Sequence, residues 1–222
     1  MKITLAQVKK NKKIQSFVDQ TEIYLDALGY TDHGERHINI VADRARSVAK
    51  KIQLSLSEQE MAAIAGYCHD MGNFLGRTQH HYWSAFLFGQ IFVSSPGDDK
   101  EIAMIMQAMV THDKNDLTIV SKVSAALILA DKSDVHRSRV KERSLKNIRE
   151  DIHDRVNYSV TKNSLTVDNT KKEIMLKLKL DTKVTDTIEY FEIFTERMTF
   201  CRQAAEHLGY DFVLMINDFK LS

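Results

Sequence analysis

The spacing of apolar residues changes near residue 150, and this change limits the chain to a helical part followed by a mixed one. Between residues 38 and 52 the apolar side chains recur at three- and four-residue steps, the period of an amphipathic helix. Ser57 and Glu60 form a capping-box pattern ahead of a second apolar stripe that ends near His69. Further stripes of the same period follow, so we predict an α-helical bundle over residues 1–147.

Beyond residue 147 the period becomes two, which is typical of strands with one buried face. Lys162 and Asn163 offer a turn within this part, and an apolar stripe over 184–208 predicts a long helix that ends at Gly209. The alternating segments predict strands over residues 156–160, 165–167, 174–180 and 212–216. Residues 148–222 are therefore expected to form an α+β unit, a small antiparallel sheet plus the long helix, in a mainly α protein.

Composition narrows the possible partners and compartments. The 222 residues carry a net charge of +1, so no strong positive field favours nucleic acid as a partner. Cys68 and Cys201 lie far apart and belong to no metal-ligand or disulfide spacing, which favours a reducing cytoplasm. No apolar run reaches the length of a membrane span and no leader is recognisable, so we expect a cytoplasmic protein without membrane attachment.

Several polar residues continue apolar helix faces and are expected to point into the bundle. His37 continues the stripe of Val41, His112 continues that of Met109, and Asp131 closes the apolar run 125–130. Each of them taken singly is as well explained as a core residue with a hydrogen-bond partner. Taken together they need a common partner, because an unpaired buried carboxylate costs several kcal/mol.

The doublet His69-Asp70 indicates what this partner is. Asp70 lies at a predicted helix C-terminus, where the macrodipole disfavours an anion by about 0.3–1 kcal/mol, so a neighbouring cation is expected. Imidazole and carboxylate together are the ligands that Zn, Fe, Mn, Co or Ni accept. The alternative is that Asp70 only caps the loop formed by residues 71–73.

With this pattern the chain resembles the HD-domain superfamily of metal-dependent phosphohydrolases, whose signature runs His, His-Asp and a distant Asp on a helical bundle. The resemblance covers residues 20–140 and rests on the segments HGERHINIVADRA, AGYCHDMGN, HHYWSA, MVTHD and LILADKSDVHRSR. It implies an HD-type bundle with His37, His69, Asp70 and Asp131 as primary metal ligands.

The resemblance also implies a second ion, because His81 and His112 match the further ligands of two-metal members. We prefer His81 to its neighbour His80 because Ala85 lies four residues on, as in the family's His-x-x-x-Gly/Ala pattern. The chain departs from the common HDIGK motif at Asn73 and lacks a Gly-Tyr-Pro motif, which puts cyclic-di-GMP as a substrate in doubt.

The expected activity is hydrolysis of a phosphate mono- or diester of a nucleotide or related small molecule. Asp70 would bridge the two divalent transition-metal ions, and a metal-activated hydroxide would attack phosphorus. His33 and His80 are candidates for proton transfer. The candidate substrate-binding residues are Arg77, Lys132, Asp134, Arg137 and Arg139, although a solvated helix face explains each charge equally well.

Two other functions stay open at this point. Some members of the superfamily use a mixed-valent iron pair to activate oxygen, so an oxygenase is one alternative. The other is a non-catalytic metal or nucleotide sensor in which the C-terminal unit relays occupancy of the site. That unit could also form a homodimer.

Overall fold

The computed structural model describes residues 3–93, 99–113, 118–142 and 144–221. Within these ranges the chain has ten α-helices and a four-stranded sheet, which confirms the mainly α class. Pro96 and Gly97, which the sequence places between two of the apolar stripes, lie outside the described residues. The chain divides into two compact units, residues 1–131 and 132–222, whereas the sequence pattern placed the boundary between residues 147 and 148.

The first unit is entirely helical in its described part. Its helices are α1 (Leu5–Lys10), α2 (Lys12–Ala27), α3 (Glu35–Lys51), α4 (Leu56–Cys68), α5 (His80–Phe92), α6 (Asp99–Thr111) and α7 (Lys122–Lys132), the last of which ends at the unit boundary. Two short 3₁₀ turns, Asn73–Leu75 and Arg77–Gln79, connect α4 to α5.

Helix α4 runs through the centre of this unit, since all eight residues from Met61 to Cys68 are buried. It packs closely on α3 at Gly66. A Cβ atom at this position would lie only 2.9 Å from the backbone of Ala42, so the close approach requires glycine. A helix that is apolar on every side is stable only when neighbours surround it. The C-terminal end of α4, where the His-Asp doublet lies, is therefore held inside the bundle.

The capping box of α4 lies two residues before the predicted one. The Ser55 hydroxyl accepts from the amide of Glu58, whose carboxylate accepts from the amide of Ser55. Both serines have a glutamate three residues later, so the spacing alone could not choose between them. The predicted pair has other contacts, Ser57 with Glu101 at 2.5 Å and Glu60 with Arg46.

The second unit is an α+β fold, as expected. Its elements are a 3₁₀ turn (Arg137–Arg139), α8 (Leu145–Glu150), α9 (Ile152–Ser159), β1 (Val160–Asp168), β2 (Glu173–Leu180), α10 (Thr187–His207), β3 (Asp211–Ile216) and β4 (Phe219–Lys220). Tyr190 and Phe194 on α10 pack against one face of the sheet, which includes Leu176 and Leu178.

The sheet is mixed, not purely antiparallel as predicted. Its order is β1-β2-β3-β4, and the β2–β3 pair is parallel while the other two pairs are antiparallel. Helix α10 causes this difference, because a helical crossover returns the chain to the end of the sheet where β2 began.

Two local predictions in this unit were also wrong. Val156 and Tyr158 belong to α9, not to a strand, and the Asp151 side chain caps that helix by accepting from the amide of Asp154. A short apolar-polar alternation could not separate this helix from the strand that follows it. Lys162 and Asn163 lie within β1 rather than in a turn; the turn comes after Asp168.

Among the described helices, none is both long enough and apolar enough to cross a bilayer.

Candidate metal centre

Five helices of the first unit bring the predicted histidines and aspartates into one buried cluster. His37 comes from the first turn of α3, and His69 and Asp70 follow α4 directly. Sets of three donor atoms lie within 4.8 Å of one another and could hold a metal ion: His37, His69 and Asp70; His69, His112 and Asp131; Asp70, His80 and His112; His80, His81 and Asp113. The scattered sequence positions thus converge in space, as the sequence predicts.

Asp70 lies at the middle of this cluster and presents one carboxylate oxygen to each of two histidine pairs. Its Oδ2 atom lies 3.2 Å from His69 Nε2 and 3.7 Å from His37 Nε2. Its Oδ1 atom lies 3.2 Å from His80 Nε2 and 4.0 Å from His112 Nε2. The same carboxylate therefore serves two adjacent groups of donors.

Asp131, near the end of α7, completes the first of these groups. Its Oδ1 atom lies 3.4 Å from His37 Nε2 and 3.5 Å from His69 Nε2. Two imidazoles and two carboxylates therefore surround one point, which is a common donor set for borderline divalent metals.

Three of the histidine rings are oriented by the same backbone contact. In each, Nδ1 lies within hydrogen-bond distance of the carbonyl oxygen three residues earlier: 2.8 Å from Gly66 for His69, 2.9 Å from Arg77 for His80 and 2.6 Å from Met109 for His112. A carbonyl oxygen can only accept, so Nδ1 carries the proton and Nε2 faces the cluster. Metal-binding histidines are usually held in this way.

The Nε2 atoms of His69, His80 and His112 face carboxylate oxygens or each other, so a positive charge is required between them. His69 Nε2 is buried, has no hydrogen-bond partner and faces the carboxylates of Asp70 and Asp131. The Nε2 atoms of His80 and His112 lie only 3.2 Å apart although both rings use Nδ1 as donor. A lone pair this close to an anion or to another lone pair needs a proton or a cation, so these residues fit a divalent metal ion.

The protonation behaviour of the doublet agrees with this requirement. Burial acts to lower the pKa of His69, but Asp70 and Asp131 outweigh it and raise that pKa to about 10. Burial acts to raise the pKa of Asp70, but His69 and His80 hold it well below its usual range. The site therefore keeps its carboxylate ionised and attracts positive charge.

Asn73 supports Asp70 from the turn that follows the doublet, a role that the sequence did not suggest. Its side-chain amide donates to the carbonyl oxygen of Asp70 at 2.9 Å and to the Asp70 Oδ1 atom at 3.0 Å. Its side-chain oxygen accepts from Arg77 Nη1 at 2.9 Å. The signal available in the sequence was that Asn73 stands where the HDIGK motif has a lysine.

Arg77 reaches from this network toward the surface. Its Nη1 atom lies 3.9 Å from Asp70 Oδ1, its guanidinium lies over the ring of Tyr30, and the side chain is 31% exposed. A partly exposed guanidinium beside the cluster suits the binding of an anionic group.

His33, His80 and His81 differ in how closely they approach the centre of the cluster. His80 contacts both Asp70 and His112, whereas His81 groups with His80 and Asp113. Asp113 was not predicted from the sequence, although this residue directly follows His112. The His33 ring lies 5.5 Å from that of His37, and its Nδ1 atom lies 2.6 Å from the carbonyl oxygen of Thr31. The choice between His80 and His81 as ligand stays a prediction.

Cys68 is buried next to the doublet without belonging to any of the donor sets above. Burial raises the pKa of its thiol, so the sulfur stays protonated. Cys68 and Cys201 are both buried, and neither forms a disulfide bond within the described residues.

Four of the predicted substrate-binding residues belong to the second unit. Arg139 is buried and lies 3.7 Å from the carboxylate of Asp134, whose carbonyl oxygen also accepts from it at 2.9 Å. Arg137 lies over the ring of Tyr158, and Lys132 lies over that of Phe200. Their part in substrate binding stays a prediction.

Comparison with known proteins leaves the family of the chain open. No protein-family model matches the sequence. An uncharacterised protein of the archaeon Methanocaldococcus jannaschii is 29% identical over 162 residues, which cover 62% of this chain and 61% of that protein. The chain thus spans about three fifths of the length of this relative.

Proposed function

We propose that this chain is an HD-type, metal-dependent phosphohydrolase that cleaves a phosphate mono- or diester of a nucleotide or a related small molecule. The observation that carries the proposal is the position of Asp70, whose two oxygens face two separate histidine pairs. Together with His37, His69 and Asp131 it follows the order His, His-Asp and distant Asp, and these four side chains lie around one buried point.

Two ions would be held by two overlapping sets of residues. The first set is His37, His69, Asp70 and Asp131. The second contains Asp70 and His112 with either His80, whose donor atom groups with theirs, or His81, which the sequence pattern favours. Divalent ions bound there supply Lewis acidity, neutralise charge on phosphoryl oxygens and lower the pKa of water toward neutrality.

The remaining residues act on the substrate and on protons. The guanidinium of Arg77, placed beside Asp70 and partly exposed, binds a non-bridging phosphate oxygen. Asn73 fixes the position of Arg77 relative to the Asp70 carboxylate, because its side chain donates a hydrogen bond to Asp70 and accepts one from Arg77. His33, next to His37 at the edge of the cluster, accepts or returns a proton.

The test is the variant Asp70→Asn, which keeps the shape of the side chain and removes its charge. We expect bound transition metal, measured by elemental analysis after anaerobic purification, to fall about tenfold or more, and hydrolysis of an aryl phosphate ester to fall below detection. Asp43→Asn, on the exposed face of the same helix as His37, is the matched control and should behave as wild type.

The same preparation separates the alternatives. Oxygen consumption by the iron-loaded protein, with no hydrolysis of a panel of nucleotide mono-, di- and cyclic esters, would overturn the hydrolase in favour of an oxygenase. Metal binding with no turnover of any ester, together with nucleotide-induced thermal stabilisation, would overturn it in favour of a sensor. Full activity of Asp70→Asn would contradict the proposed mechanism itself.

A further inference from the structure

The sheet of the second unit carries a groove with a concentration of positive charge on the face opposite the core. Leu176, Leu178 and Leu180 of β2 belong to the core, whereas Lys177 and Lys179 alternate with them and are exposed. Lys162 on β1 is exposed on the same side. The three lysines line a groove of about 450 Å³ together with the β3–β4 turn at Asn217 and Asp218.

The pairing of the strands sets two of these lysines directly against each other. Lys162 is opposite Lys179 in the antiparallel β1–β2 pair, and Ser164 is opposite Lys177. Directly opposed side chains of this kind have Cβ atoms about 4.5–5.5 Å apart, and like charges in that position destabilise a sheet. The Lys162–Lys179 pair is therefore destabilising, whereas a threonine or serine at either position would not be.

The groove itself contains little compensating charge. Of the described residues that line it, Asp218 is the one carboxylate, and it is already paired with Lys177 at 2.6 Å. The pKa of Asp218 is lowered by Lys177, with a further contribution from Lys179, so its charge is present at neutral pH. Three ammonium groups against one carboxylate leave the groove positive.

The turn that closes the groove is held in place by hydrogen bonds to β2. Asn217 and Asp218 both adopt left-handed conformations, with φ of 49° and 70°, as in a tight two-residue hairpin turn. The Asn217 side chain accepts from the Leu180 amide at 2.9 Å and donates to the Leu180 carbonyl at 3.1 Å. The groove is therefore preformed, which lowers the entropic cost of binding a ligand.

We infer that this groove binds the phosphate groups of a small phosphorylated molecule, with Lys162 and Lys179 as the principal contacts and Ser164 as a hydroxyl donor. Its volume lies within the range of small-molecule sites, and the net charge of the chain is only +1, which does not suit the long electrostatic footprint of nucleic acid. Inorganic pyrophosphate is the simplest probe with this chemistry. The inference concerns residues 132–222 and does not rest on the proposed hydrolase activity.

Calorimetric titration of the full chain with pyrophosphate tests the inference. We expect saturable binding by the wild type and a loss of affinity of roughly tenfold for each charge removed in the double variant Lys162→Gln/Lys179→Gln. Lys183→Gln, an exposed lysine in the loop before α10, is the matched control and should bind as wild type. Lys179→Arg, which keeps the charge, should retain most of the affinity and is informative even if the double variant does not fold.

A second readout has the opposite sign and separates binding from structural damage. Without anion, Lys179→Gln should raise the melting temperature by about 1–4 °C because it removes the repulsion from Lys162. With pyrophosphate present, the same variant should gain less stability than wild type. The inference is overturned if wild type does not bind pyrophosphate, if the double variant binds it unchanged, or if only a mixed-sequence oligonucleotide binds, with affinity that rises with its length.

Discussion

His69 links the protonation of the site to metal binding. In the metal-free protein its pKa of about 10 lies above the ordinary value of 6.5, so the ring is protonated at pH 8. Because a metal ion needs the Nε2 lone pair, we expect its binding at pH 8 to release about one proton from His69 and the affinity to rise as pH increases toward 10. Zinc titrations in buffers of different ionisation enthalpy measure this release, and His153→Gln, an exposed histidine on α9, serves as the control.

The same pKa shift fixes the sign of the effect on stability. A group whose pKa is raised by folding contributes stability that is fully present below pH 6.5 and is lost as the pH rises through 10. Metal-free protein should therefore lose stability above neutral pH, and the metal-loaded protein should not show this loss. Metal binding without any proton release at pH 8 would contradict the assigned state of His69.

Single residues also show how far the sequence could predict the site. Apolar periodicity correctly directed His37, His112 and Asp131 inward, because a helix face is a local property. The relative positions of His80 and His81 depend instead on how the start of α5 is rotated against the doublet. That rotation is set by contacts between elements, which spacing along the chain does not contain.

At the scale of elements, Gly72 fixes the approach of the doublet turn to α5. A Cβ atom at this position would lie 2.8 Å from the His80 carbonyl oxygen and closer still to the Ser84 amide. Since both are backbone atoms, we expect Gly72→Ala to displace α5, to lower the free energy of unfolding by about 1–3 kcal/mol and to reduce metal content. Denaturant unfolding and elemental analysis measure the two effects.

Gly89 provides a matched control within α5 itself. A Cβ atom there would meet the end of the Met106 side chain, which can move, and alanine favours a helix over glycine by up to about 1 kcal/mol. Gly89→Ala should therefore keep its metal and its stability. Equal losses in the two variants would mean that α5 tolerates no added methyl group anywhere and that Gly72 has no special role.

Elements with a long regular period were predicted well, and short ones were not. The stripe over 184–208 identified α10, which runs from Thr187 to His207 and is followed by Gly209 with φ of +79°. The α9–β1 junction was missed because helix and strand meet there without a break, between Ser159 and Val160. A change of period can be located only where several residues on each side obey it.

At the scale of the whole molecule, the sequence correctly indicated helices followed by an α+β part, although the residues just after 150, which were expected to form a strand, are helical. It did not indicate that β2 and β3 pair in parallel, because that pairing depends on the crossover through α10 rather than on any residue within the strands. The positions of charged residues along the sequence did not predict the groove either, since Lys162 and Lys179 become neighbours only when β1 pairs with β2.

A metal ion bound at the candidate centre would stabilise the first unit through its ligands. Its donors come from α3, from the ends of α4, α6 and α7, and from α5, so a bound ion cross-links most of the first unit. An ion present at 100 times its dissociation constant stabilises by about 2.7 kcal/mol. For a chain of this size, removal of the metal by a chelator should therefore lower the melting temperature by about 5–10 °C, and zinc or manganese added in excess should restore it.

Asp70→Asn should not respond to the chelator, because it holds little metal to lose. A wild-type melting temperature that stays constant while elemental analysis shows the metal gone would mean that these buried histidines and aspartates are stabilised by protons alone.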